Sequence, residues 1–126
     1  MIVLDTNTVL RCVLQDDEEA ANIVEDQMAR HECLIFPEVV AEIVYVLFKV
    51  YRTDRKEIQQ LVSAVLEHEN AKVPYREVVE KALYYFAETR FDFIDCLMIG
   101  YATVEGHQIF TFDKKLKNRL ERIIGG

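Results

Sequence analysis

Residues 1–7 read MIVLDTN. The apolar run at positions 2–4 has the length and continuity of a short buried strand. It ends in a carboxylate, Asp5, followed by Thr6 and Asn7. Residues 107–113, HQIFTFD, repeat the pattern: an apolar stretch that delivers Asp113. Between them lie CLIFP at 33–37 and AKVP at 71–74, two shorter strand-like stretches closed by Pro37 and Pro74.

The intervening segments read as helices. Residues 8–14 form a short helical stretch that Thr6 or Asn7 can cap. Residues 15–31 form a second helix whose acids crowd the first turn, where they complement the helix dipole. Pro37 suits the first turn of a long apolar helix over 38–51. Residues 52–69 follow, with Thr53 or Asp54 as cap and apolar residues at 58, 61, 62, 65 and 66. Residues 75–90 and 92–106 are helical by period, the latter stopped by Gly106, and 114–123 form a last helix. Strands separated by helices require crossover connections and a mainly parallel sheet, so the fold class is α/β. In such a sheet, functional groups gather beyond the carboxyl ends of the strands.

That rule gives Asp5 and Asp113 one destination if their strands are parallel neighbours. Asp92 and Asp95 lie at i and i+3 at the start of a helix and share a face near its N-terminus. Glu42 sits in the middle of the most apolar helix of the chain. Each acid also has a plain structural reading. Asp5, Asp92 and Asp113 can cap helices, and Glu42 can belong to a solvated stripe with Glu38 and Lys49. Jointly, they point to a carboxylate cluster. Clustered carboxylates repel, which raises their pKa values and calls for a divalent cation. Oxygen-only ligation favours Mg²⁺ or Mn²⁺ over Zn²⁺. The common use of such a site is phosphoryl transfer.

The stretches LDTN, FPEVVAEIVYVL, FDFIDCLMIGYA and IFTFDKKL occur in that order along nearly the whole chain. In this order and at these spacings they resemble the PIN domain, most closely the VapC ribonuclease toxins of prokaryotic toxin–antitoxin modules. The resemblance implies a three-layer α/β/α sandwich with a mainly parallel central sheet. It also implies a Mg²⁺- or Mn²⁺-dependent endoribonuclease, an RNA substrate, a cognate antitoxin and a homodimer. The family's four acids fall on Asp5, Glu42, Asp95 and Asp113, which would be both catalytic and metal-holding. Thr6, Asn7 and Thr111 fall on the polar positions that orient those carboxylates, and Asp92 could contribute. Many members carry alanine where Cys96 stands, a small change that leaves the site intact.

Composition agrees with one soluble domain over 1–126: 51% of residues are hydrophobic and 29% charged. No apolar run is long enough for a bilayer, and the opening residues lack a signal-peptide pattern, so a cytoplasmic protein is expected. Cys12, Cys33 and Cys96 have no CxxC spacing and read as reduced buried thiols. His31, His68 and His107 have no zinc spacing. The net charge of −7 argues against nucleic acid until its distribution is considered. Residues 114–126 carry five cations against Glu121, a local +4, which leaves −11 on residues 1–113. Lys114, Lys115 and Lys117 are therefore candidate phosphate contacts, although a solvated helix face explains them equally well.

Other readings fit less well. A receiver-like phospho-acceptor signalling domain needs five regular strand–helix units and an Asp ending the third strand, whereas AKVP ends in Pro74. A haloacid-dehalogenase-type phosphatase needs a second Asp two residues after the first, where Asn7 stands. A histidine-pair ribonuclease needs two positioned imidazoles, and no histidine falls beside the acids. A non-catalytic binding module on the same fold differs from the enzyme in a nuclease assay.

Overall fold

The apolar run after Met1 forms strand β1 (Ile2–Val3), and Asp5 at once starts helix α1 (Thr6–Leu14). The computed structural model describes residues 1–125, and the chain divides into two compact units that meet in sequence at Pro74 and Tyr75. Each unit is described by itself.

The first unit continues with α2 (Glu18–Arg30), β2 (Cys33–Leu34), α3 (Pro37–Lys49), α4 (Arg55–Leu66) and β3 (Ala71–Lys72). The strands are short and parallel, in the order β1-β2-β3. Ile2 faces Cys33 and Val3 faces Leu34, while Cys33 faces Ala71 and Leu34 faces Lys72. The ladder extends one residue beyond each strand. The Leu4 N–H donates to the Leu34 carbonyl at 3.0 Å, and the Ile35 N–H to the Lys72 carbonyl at 2.9 Å. This register sets where Asp5 emerges, one residue past the last ladder bond of β1.

Caps follow from local chemistry. Asp17 accepts from the Ala20 N–H and Asp54 from the Lys56 N–H, and Pro37 opens α3 where a missing N–H costs nothing. Of the expected caps for α1, neither Thr6 nor Asn7 serves; Asp5 does, because its extended backbone aims the carboxylate at the first turn. Helix α3 buries Val40, Ile43, Val44 and Leu47, spaced at i, i+3, i+4 and i+7, which leaves Glu42 on the exposed side. Each such side chain contributes roughly 1.5–3 kcal/mol of burial. Asn70 ties the start of β3 to the end of α2, its side-chain amide donating to the Met28 carbonyl at 2.8 Å.

The second unit holds α5 (Arg76–Glu88), α6 (Phe93–Glu105) and α7 (Lys114–Leu120), followed by a π-helical turn (Glu121–Gly125). Helices α5 and α6 form its main packing pair. Their closest approach is at Gly100, where an added Cβ would stand 2.7 Å from the Val78 carbonyl oxygen. Only glycine fits there. Ile99 and Ala102 of α6 meet Leu116 and Leu120 of α7, with Phe91, Met98 and Ile109 packed around them. Gly106 ends α6 in the left-handed conformation (φ 73°), as its position past the last helical residue requires.

One expected element is absent. Residues 107–113 form no strand among the described residues. The alternation remains: Ile109 and Thr111 are partly buried, while Phe110 and Phe112 are 87% and 91% exposed, their rings 5.5 Å apart. Period-2 patterning sets which side chains turn inward, but a strand also needs a ladder partner, and this segment has none. Among the described residues the run is thus unpaired and buried only on its Ile109 side, and Asp113 stands at the head of α7 rather than at a strand end.

Candidate active site

The acids distribute between the two units. In the first, the Asp5 carboxylate accepts a hydrogen bond from the Thr8 N–H at 2.9 Å. Bonds from Thr8, through its side chain and then its backbone, hold the Asp5 carboxyl below the usual carboxylate range. Asp5 is exposed, Thr6 and Asn7 follow it as the first residues of α1, and Glu42 projects from the solvent side of α3. Helices α1 and α3 pack against each other. The structural reading of Asp5 as a cap is therefore correct. The two bonds from Thr8 leave the remaining lone pairs of an exposed carboxylate available.

In the second unit Asp92 and Asp113 both act on Asp95. Asp92 takes the cap position of α6, but its side chain makes no capping bond. Instead it shares a hydrogen bond with Asp95, three residues on, as the i, i+3 spacing anticipates. Asp95 is half-buried, and its pKa is pushed up to about 6. Burial is the first cause, followed by the bond to Asp92 and the negative charges of Asp92 and Asp113. The expected mutual repulsion of the acids thus appears at Asp95, whereas Asp5 goes the other way because Thr8 stabilises its charge.

Asp113 is positioned by a compact local device. Its N–H donates to Thr111 Oγ1 at 3.0 Å, and its carboxylate accepts from the Leu116 N–H at 3.1 Å. Thr111 therefore holds the backbone of the acid two residues later. Lys114 and Lys115 open α7 immediately beyond it, with Lys117 one turn on, and all three are exposed. Sequence reading missed Thr8, although Asp-x-x-Thr directly after a strand is a legible capping spacing.

Among the described residues, no three His, Cys, Asp or Glu side chains stand close enough together to hold a metal ion ready-made. The donor chemistry nonetheless suits a hard divalent cation. Asp92, Asp95 and Asp113 offer oxygen only, and Asp95 is held partly protonated by the other two. Cys33 and Cys96 are buried and unbridged, and burial pushes the Cys12 and Cys33 thiols up, away from reactivity.

The family model for the PIN domain matches residues 2–120. A VapC ribonuclease of Aquifex aeolicus (strain VF5) is 29% identical over 123 residues, covering 93% of this chain and 90% of that protein. No solved structure matches the chain.

Proposed function

We propose, from the premise that this chain belongs to the PIN-domain family, that it is a metal-dependent endoribonuclease and the toxin of a toxin–antitoxin pair. The observation that carries this reading is the interacting trio Asp92, Asp95 and Asp113 in a chain similar along 93% of its length to a VapC ribonuclease. The whole chain is read as one PIN-like domain, working in the cytoplasm as a homodimer that a cognate antitoxin inhibits. Among the described residues, no helix is long and apolar enough to cross a membrane.

Asp5, Glu42, Asp95 and Asp113 are the carboxylates that would hold Mg²⁺ or Mn²⁺. Such an ion supplies Lewis-acid activation of water and neutralises charge on the scissile phosphate. With its pKa raised to about 6 by burial and its acidic neighbours, Asp95 is mostly ionised at neutral pH and would be available as a ligand. Thr111 fixes Asp113 through its backbone N–H, and Thr6, Asn7 and Asp92 orient the neighbouring carboxylates. Lys114, Lys115 and Lys117 hold flanking phosphates of the RNA.

In the reaction a water oxygen bonds to phosphorus, the bond from phosphorus to the 3′ oxygen breaks, and that oxygen takes a proton. The fragments then carry a 5′-phosphate and a 3′-hydroxyl. End-labelled RNA incubated with the chain and Mn²⁺, with and without chelator, tests this. Fragments ending in a 2′,3′-cyclic phosphate, or cleavage untouched by chelator, overturn the mechanism. A receiver-like domain is the weaker alternative, because the sheet among the described residues has three strands and β3 runs into Val73 and Pro74 with no Asp at its end.

A further inference from the structure

The turn between α3 and α4 is cationic in an acidic protein. Residues 48–56 carry Lys49, Arg52, Arg55 and Lys56 against Asp54 alone, a net +3 where the whole chain is −7. Asp54 caps α4, its carboxylate accepting from the Lys56 N–H at 3.2 Å. Among the described residues, Lys49, Arg52 and Lys56 form no ion pair, and all three are exposed.

The cations are gathered rather than dispersed. Lys49 Nζ lies 5.4 Å from the centre of the Phe48 ring, and the Arg55 guanidinium lies 4.8 Å from the same ring. Phe48, Lys49, Arg52 and Thr53 line one shallow depression of about 500 Å³. Arg52 reaches it from a left-handed backbone (φ 53°), a conformation that side-chain-bearing residues rarely adopt. Like charges collected on one rim repel one another until an anion joins them. Two exposed rings lie close to the rim in the chain. Tyr45, one turn before Lys49 on α3, is 61% exposed, and Tyr51 is 50% exposed.

We propose that this turn is a second nucleic-acid contact surface, remote in sequence from Lys114, Lys115 and Lys117. Lys49, Arg52 and Lys56 take backbone phosphates of single-stranded RNA, and Tyr45 and Tyr51 stack on its bases. Cations beside exposed rings are the combination that sequence-tolerant single-strand binding uses. A phosphate backbone complements the cations and its bases stack on exposed rings, a pairing that acidic side chains alone do not offer. The choice of RNA rests on the ribonuclease reading, so the test separates the two.

Binding is measured by anisotropy with a labelled homopolymeric RNA, on full-length chain carrying Asp95→Asn so that no cleavage is needed. The triple variant Lys49→Gln/Arg52→Gln/Lys56→Gln is compared with its parent across a salt series. Losing three phosphate contacts should lower the slope of log affinity against log salt by about 2, and the affinity at 0.1 M salt by roughly a hundredfold. Tyr45→Ala/Tyr51→Ala should weaken binding about tenfold or more with the slope unchanged. All changed side chains are exposed, and an unaltered melting curve confirms folding. An unchanged slope in the triple variant overturns the proposal. So does a parent that binds polyglutamate as tightly as RNA, or a triple variant whose only change is in oligomeric state. Cleavage of a dinucleotide substrate, too short to reach the turn, is followed in parallel with Asp95 intact. Its failure in otherwise wild-type chain counts against the ribonuclease reading and leaves the binding result to stand on its own.

Discussion

Asp95 shares a hydrogen bond with Asp92 across the first turn of α6, and Asp95 holds its proton to higher pH than a free aspartate does. No lysine or arginine contributes to the shift of Asp95; burial, Asp92 and Asp113 all push it upward, to about 6. A fold that only needed a helix cap would not require this arrangement, because the Asp92 side chain makes no capping bond. The pair is destabilising without a cation.

That destabilisation has a definite pH signature. The folded pKa of Asp95 is raised above its unfolded value of about 3.9. The folded state therefore binds more protons between the two values, and the metal-free chain loses stability as pH rises from about 4 to about 6, then levels off. Urea midpoints in chelator across that range check it. Asp95→Asn should flatten this segment of the profile. Asp5 acts in the opposite sense, since its lowered pKa contributes stability above about pH 4 that is lost on further acidification.

Mn²⁺ or Mg²⁺ should raise the melting temperature at neutral pH. A cation that binds only the folded chain adds about 2.7 kcal/mol at a hundredfold excess over its dissociation constant. Thermal melts with Mn²⁺ and with chelator measure the shift. Asp95→Asn and Asp113→Asn should each shrink it by half or more. A wild-type chain that melts identically in both conditions contradicts the assignment of these acids.

Asp5→Asn should lower RNA cleavage at least a hundredfold while leaving the circular-dichroism spectrum intact. Asparagine caps a helix about as well as aspartate, so the bond to the Thr8 N–H survives the exchange. Asp16→Asn and Glu19→Gln serve as controls. Asp16 pairs with Arg11 at 2.9 Å on the surface, a contact worth no more than about 1 kcal/mol, and both should cleave RNA within about twofold of wild type.

Gly100→Ala should destabilise the chain by roughly 1–3 kcal/mol, because the new methyl meets the Val78 backbone carbonyl rather than a flexible side chain. Denaturant midpoints report it. Gly106→Ala should cost about 1 kcal/mol for a different reason, the left-handed φ of 73°, since no atom stands within 4 Å of its added Cβ.

Much of this protein is written locally. Hydrophobic spacing marked every helix, Asp54 and Gly106 marked ends, and the run before Asp5 marked β1, because periodicity and capping depend on residues within a turn or two of each other. The i, i+3 spacing of Asp92 and Asp95 was equally legible, since a helix brings those positions together whatever surrounds it.

Three things were decided by the folded surroundings. Residues 107–113 carry a strand's alternation without a strand's hydrogen bonds, because pairing requires a second backbone and no sequence pattern supplies one. The opposite shifts of Asp5 and Asp95 were not both legible: the Thr8 donors that lower Asp5 sit three residues on, but the burial of Asp95 and the charge of Asp113 beside it came only with folding. The gathering of Lys49 and Arg55 on one Phe48 ring arose where two helices turn into each other, and charge counting along the chain could not foresee it. A sequence determines by itself the interactions that its own backbone geometry enforces at short range. Electrostatic environment and strand pairing are properties of the neighbours, and only the tertiary structure decides who those are.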